Sequence, residues 1–370
     1  MGTRRRLRGA ARPIAALLLA TVAALVPAAP AAAHGGSAPV PTDYSYRITS
    51  VDPATPGLTI RFVEANYRLE VRNGTGRTID VLGYLGEPYL QLRPNGAYEN
   101  RHAPSLGARS TTPAPGTSTD TAPDWRRTST SPVVHWHDHR AHWSAPVPAA
   151  VLADPSRAHR VLDWAVPLRD GDHPITVHGT VDWLPPPAPA NWWAGILLAA
   201  AAIAALAAFP QRPDRREPAL IGLGVVAIVG GLGAFAYTAA FAADAADPGP
   251  GGLAGALLLQ IWPLIGAGGA VAAGVGALTR RPASDFALAL GGAILAVLDG
   301  LANGAVFSHA VAPVAADGDW AQWTVAGVIA CGTGLAAAAI LRMRRAGRSA
   351  AAPVSGGAQP EPTGAATGDP

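Results

Sequence analysis

The stretch VVHWHDHRAHW, residues 133–143, gathers His135, His137, His139 and His142 with Asp138 and Arg140 among apolar residues. Imidazole nitrogens suit Zn(II), Cu(II) and Ni(II), and the affinity order of divalent ions peaks at copper. Clustered imidazoles also titrate near neutral pH, and His–Asp or Arg–Asp contacts can satisfy a buried polar group. In an extended strand, residues 135, 137 and 139 project from one face, and Trp136, Asp138, Arg140 and His142 from the other. In a helix, His135, Asp138, His139 and His142 would share a face. The flanking SPVV and SAPVP favour the strand, whose His135 and His137 would aim two imidazoles at one ion. No nucleophile elbow accompanies these residues, so nothing supports a Ser/His/Asp enzyme.

The rest of the chain says where this segment sits. Only 14% of its 370 residues are charged and its mean hydropathy is positive, a profile closer to a membrane protein than to a soluble enzyme of this size. All 28 basic residues are arginine; the absence of lysine excludes Schiff-base chemistry and a Walker-type phosphate loop. The net charge of +3 is small and the arginines form no stripe with aromatics, so no nucleic-acid partner is indicated. Residues 1–33 read as a signal peptide: charged RRRLR, an apolar stretch, then small residues, with cleavage between Ala33 and His34.

Apolar runs at 192–209, 219–243, 252–278, 285–312 and 320–341 are each long enough to cross a bilayer, so residues 191–343 are expected to form a five-span bundle. QRPDRRE, TRRPAS and RMRRAGR alternate with acidic connections, which places the N-terminal domain outside and the C-terminus in the cytoplasm. The tail 344–370, rich in Ala, Gly and Pro, is expected to be disordered. Residues 34–190 carry short alternating runs, YSYRITSV, LTIRFVE, YRLEVRN, TIDVLGYL, PYLQLRP, RVLDWAVPL and ITVHGTVDWL, separated by turn chemistry. Their number and spacing predict an exported all-β sandwich, cupredoxin- or Ig-like, with residues 103–132 as a long Ser/Thr/Pro-rich loop.

Nine of the ten histidines lie in that exported part. A mature chain starting at His34 offers its α-amino group and imidazole as a chelating pair, which His135 and His137 could complete, with Asp138, His139 and His142 as weaker candidates. The lone Cys331 lies in an apolar run and the methionines are only Met1 and Met343, so neither a blue-copper centre nor a Cu(I) thioether site is available. The expected ion is Cu(II), without electron transfer.

The HGG start, the β-rich exported domain, the HWH pair and the following helices resemble the layout of CopC-type copper-binding proteins and of the cupredoxin-like copper subunit of particulate methane monooxygenase. That resemblance implies copper on His34, His135 and His137. Over most of its length the chain is similar to a group of uncharacterised actinobacterial multi-pass membrane proteins that share a W-x-D-H-R-x-H element, a similarity that implies no activity.

Within the membrane, Asp299 and Asn303 are four apart in the fourth run, His309 lies near its outer end, and Gln260 is at a depth comparable to Asn303 in the third. They are expected to form either a polar path or helix–helix hydrogen bonds in a Gly/Ala-rich bundle. The preferred expectation is a membrane-anchored copper-binding protein for storage, delivery or uptake, with the lipid bilayer and a metal-transfer protein as partners. The rivals are a non-enzymatic interaction or sensory protein with a structural histidine cluster, and a permease using Asp299 and Asn303.

Overall fold

The computed structural model describes residues 40–108, 111, 119–209, 217–246, 251–314 and 319–350. The expected signal peptide over residues 1–33, His34, most of the interhelical loops and the tail beyond residue 350 lie outside the described residues. The chain divides into two compact units.

The first unit comprises the chain to Pro189 with Tyr237–Gln260 and Ala302–Trp323. Among the described residues it holds ten strands: β1 Tyr44–Asp52, β2 Leu58–Val63, β3 Arg68–Asn73, β4 Ile79–Leu82, β5 Pro88–Arg93, β6 Gly96–Asn100, β7 Trp125–Ser129, β8 Val133–Trp136, β9 His159–Asp170 and β10 His173–Trp183. A seven-stranded antiparallel sheet runs β1-β10-β9-β4-β5-β6-β7, and a three-stranded one runs β2-β3-β8. Period-two alternation sends Leu69 and Val71 of β3, Val134 and Trp136 of β8, and Trp164, Val166 and Leu168 of β9 into one shared core. Seven strands follow the runs read from the sequence and β8 the favoured strand of the histidine segment. Two are additional. β6 and β7 extend the large sheet at its edge, and β7 lies inside the stretch expected to be loop.

Among the described residues, five helices are long and apolar enough to cross a membrane: span 1 Pro189–Ala208, span 2 Pro218–Ala245, span 3 Ile261–Leu278, span 4 Ser284–Phe307 and span 5 Trp320–Arg348. Large apolar side chains such as Leu198, Trp262 and Phe286 face outward, whereas small ones such as Ala267, Ala270 and Ala277 are buried. That inversion of the soluble pattern suits a lipid environment, where close backbone approach rather than apolar burial joins helices. Gly224 and Gly274 join spans 2 and 3 in this way: a Cβ on either would lie within 3 Å of the other's carbonyl oxygen.

The second unit comprises Ala190–Ala236, Ile261–Leu301 and the chain from Thr324 onward. Buried Arg342 of span 5 reaches Asp285 and Glu217, at the starts of spans 4 and 2, at 2.7 Å each.

Three expected boundaries are corrected. The run 252–278 is not one helix, because Gly252–Leu259 ends at Gln260 and span 3 begins at Ile261. The run 285–312 changes form, α to Ile294, π over Leu295–Gly300 and 3-10 over Leu301–Phe307, and stops before His309. The last helix continues to Ala350, so the first residues expected in the tail are helical.

Candidate functional site

The histidine segment is a strand only as far as Trp136, and Asp138 is the reason. Its carboxylate is completely buried and accepts from Arg140 N at 2.9 Å, capping a 3-10 turn over His139–Ala141. It also accepts the Trp136 indole N–H at 3.0 Å and the Arg140 guanidinium at 3.0 and 2.7 Å. Arg140 continues to the carbonyls of Leu82 and Gly83 and lies over the Tyr84 ring. Burial alone would raise the Asp138 pKa, but the hydrogen bonds and charge of Arg140 outweigh it and hold the carboxyl below its ordinary value.

The turn corrects the expected alternation of faces. His137 and His142, placed on opposite faces by a continuous strand, have ring centres 4.2 Å apart, and His137 and His139 lie edge to face at 4.8 Å. His135 sits on β8 ahead of the turn. It stands opposite Glu70, and its Nε2 is 2.7 Å from the Glu70 carboxylate. It completes an ion-pair row with Glu70 and Arg61.

Backbone carbonyls set the roles of the other ring nitrogens. His137 Nδ1 donates to the Tyr67 carbonyl at 2.9 Å, and its ring stacks on Tyr67 at 4.6 Å. His139 Nε2 donates to the Ala108 carbonyl at 3.2 Å. A carbonyl only accepts, so His137 keeps its Nε2 lone pair and His139 its Nδ1 lone pair when the rings are neutral. Burial, followed by the neighbouring His142 and His139, lowers the pKa of His137 against the opposing effect of the Tyr67 carbonyl. His142 differs. Its Nδ1 faces the Asp138 carbonyl at 2.8 Å and its Nε2 the Asn66 carbonyl at 2.9 Å, leaving neither for a metal.

A cavity of about 410 Å³ opens beside the turn, lined by His139, Arg140, His142, Trp143 and Asp163 among others. Among the described residues, no three His, Cys, Asp or Glu side chains converge as a ligand set for a metal. His34, the expected amino-terminal ligand, lies outside them.

Two contributors escaped the sequence reading. Glu70 is 1% exposed and bonded by Arg61 at 2.7 and 3.2 Å as well as by His135. Its alternation with Leu69 and Val71 reads as a solvent-facing position; only the register Arg61↔Glu70↔His135 reveals the row. Glu64, Ala65 and Asn66, at φ 53°, 54° and 69°, form a left-handed turn that no glycine announces.

The expected intramembrane residues fall in different segments of the chain. Asp299 is buried in the π segment, its carboxylate against Gly266 of span 3. Asn303 lies in the following 3-10 segment, so the α-helical spacing expected to align the two is absent. Gln260 ends the short helix before span 3. His309 lies beyond span 4 with Nδ1 3.1 Å from Asp43, whose other oxygen accepts from Ala310 N at 2.9 Å. Compared with family models, curated proteins and solved structures, the chain finds no significant match.

Proposed function

We propose that this chain is a membrane-anchored, extracytoplasmic metal-binding protein in which His137 Nε2 and His139 Nδ1 hold an imidazole-preferring divalent ion, copper(II) foremost. Support comes from the two fixed tautomers. Each ring gives one N–H to a backbone carbonyl and keeps the other nitrogen as a donor, with ring centres 4.8 Å apart. Metal-ligating histidines have their second nitrogen tied in this way. Adjacent space leaves room for water as a further ligand. The α-amino group of His34 would add a nitrogen in a chain cleaved after Ala33. The arginine-bearing loops favour the β domain outside the cell, where storage, delivery or uptake of copper with a transfer partner would follow.

A second reading is favoured by His135 and His142, whose bonded nitrogens hold Glu70, Asn66 and Asp138 in place. On that view the cluster is structural and the chain is a non-enzymatic interaction or sensory protein. Cu(II) titration of the full chain in nanodiscs, followed by electron paramagnetic resonance, separates them. Nitrogen-coordinated copper is expected, weakened at least about tenfold by His137→Gln or His139→Gln and unchanged by His135→Gln. Binding indifferent to loss of both His137 and His139 would overturn the assignment.

A further inference from the structure

We infer that the left-handed turn Glu64–Asn66 is a coupling element between the histidine cluster and the end of span 2. Three consecutive residues with side chains sit at positive φ, a conformation L-residues adopt singly and at a cost, so contacts from outside must sustain it.

Those contacts come from two directions. Asp244, the penultimate residue of span 2 and buried, accepts the Ala65 N–H on its carboxylate at 2.5 Å, and its carbonyl accepts the Glu64 N–H at 3.4 Å. On the other side His142 Nε2 lies 2.9 Å from the Asn66 carbonyl, and His137 donates to the Tyr67 carbonyl while stacking on its ring. Within the turn, Tyr67 N returns to the Glu64 carbonyl at 3.1 Å. The helix end and the imidazoles therefore hold successive peptide groups of one strained element.

Losing either clamp lets the turn relax toward ordinary backbone angles and withdraws the partner groups of the other clamp. The two ends are then energetically coupled through a two-state element, which is the physical requirement for communication between sites. The coupling stands on these contacts alone. That a metal ion drives it rests on the function proposed above: an ion on His137 Nε2 would polarise the ring and strengthen its Nδ1–H bond to Tyr67.

The test uses the full chain in nanodiscs, reading hydrogen exchange across residues 58–73 and carbethoxylation of individual histidines. Asp244→Ala is expected to raise exchange in the turn, and modification of His137 and His142, at least about tenfold, with His135 unchanged. Asp244→Asn keeps a carbonyl acceptor and should restore both. Ala65→Gly adopts the left-handed conformation readily, so Ala65→Gly with Asp244→Ala should also return the histidines to protection. Unchanged His137 and His142 in Asp244→Ala overturns the coupling. So does a uniform rise at all histidines that persists in the Ala65→Gly background; a uniform rise abolished there supports it. Added Cu(II) should slow exchange in the turn. Failure to bind Cu(II) defeats the metal reading and leaves the mutational coupling standing; binding without slower exchange defeats the metal as its driver.

Discussion

Glu70 and His135 face each other across β3 and β8, with His135 Nε2 2.7 Å from a carboxylate that is almost completely buried. Arg61 approaches the same carboxylate from β2, and Arg72 Nη2 lies 3.7 Å from it. Burial pushes the Glu70 pKa upward, but the hydrogen bonds from Arg61 and His135 outweigh it, and the net shift is downward. The shift makes Glu70 a source of acid sensitivity. A carboxyl whose folded pKa is depressed contributes stability that is present above its unfolded pKa of about 4.3 and is lost as pH falls through the folded value. Wild type should therefore lose melting temperature on acidification below about pH 4 more steeply than Glu70→Gln. Glu70→Ala should cost about 3 kcal/mol near neutral pH, the low end for breaking a buried pair because Arg61 is half exposed. Parallel acid profiles of wild type and Glu70→Gln would remove Glu70 from this role.

Asp138 organises more of the site than any histidine does. Asp138→Asn keeps one acceptor for the cap but removes the charge opposite Arg140 and turns an N–H toward existing donors. The expected loss is about 3 to 5 kcal/mol, with melting of the turn His139–Ala141 and loss of near-ultraviolet dichroism from Trp136. Trp136→Phe, which deletes only the indole donor and some volume, should cost about 1 to 2 kcal/mol. Equal effects of the two substitutions would show that tryptophan packing, rather than the carboxylate, holds the turn.

The β domain was legible where side chains alternate over several residues between clear turns, as in YRLEVRN and ITVHGTVDWL. β6 and β7 were not, because GAYEN and WRRTS are short, polar and at the edge, and their pairing with each other and with β5 is a tertiary choice. The same limit applied to the histidines. Residue types in VVHWHDHRAHW announced a polar cluster, but the sharp turn depends on Asp138 finding Trp136 and Arg140 in a buried setting, which periodicity cannot register. The spans were legible from length and apolarity, whereas the π and 3-10 segments of span 4 depend on packing against its neighbours. Gln260 and Asn303 were placed by an α-helical spacing that the chain abandons nearby.

Charge asymmetry of the loops predicts which side each faces. In a Cys331→Ser background, Asp247→Cys and Asp317→Cys should react with an impermeant maleimide added to intact cells, and Asp214→Cys and Thr279→Cys only after lysis. Labelling of Asp214→Cys from outside would reverse the orientation and put the histidine cluster in the cytoplasm.

Asp299 and Gly266 supply a test of what the buried intramembrane carboxyl does. The Asp299 carboxylate occupies the space a Cβ on residue 266 would need, so Gly266→Ala overpacks the contact between spans 3 and 4. The expected cost is about 1 to 3 kcal/mol, read as a lower melting temperature in detergent. Asp299→Ala should relieve that clash, so the double substitution should be less damaging than the two single effects added together. For a residue that only joins helices, Asp299→Asn preserves hydrogen bonding, and both membrane abundance and any copper-linked growth phenotype should persist. A permease or proton site predicts another outcome, in which Asp299→Asn accumulates normally and the phenotype disappears. Gly266 belongs to the first alternative: a helix position kept free of side chain beside the carboxyl fits close packing, and normal abundance with a lost phenotype would show that transport is the role of Asp299.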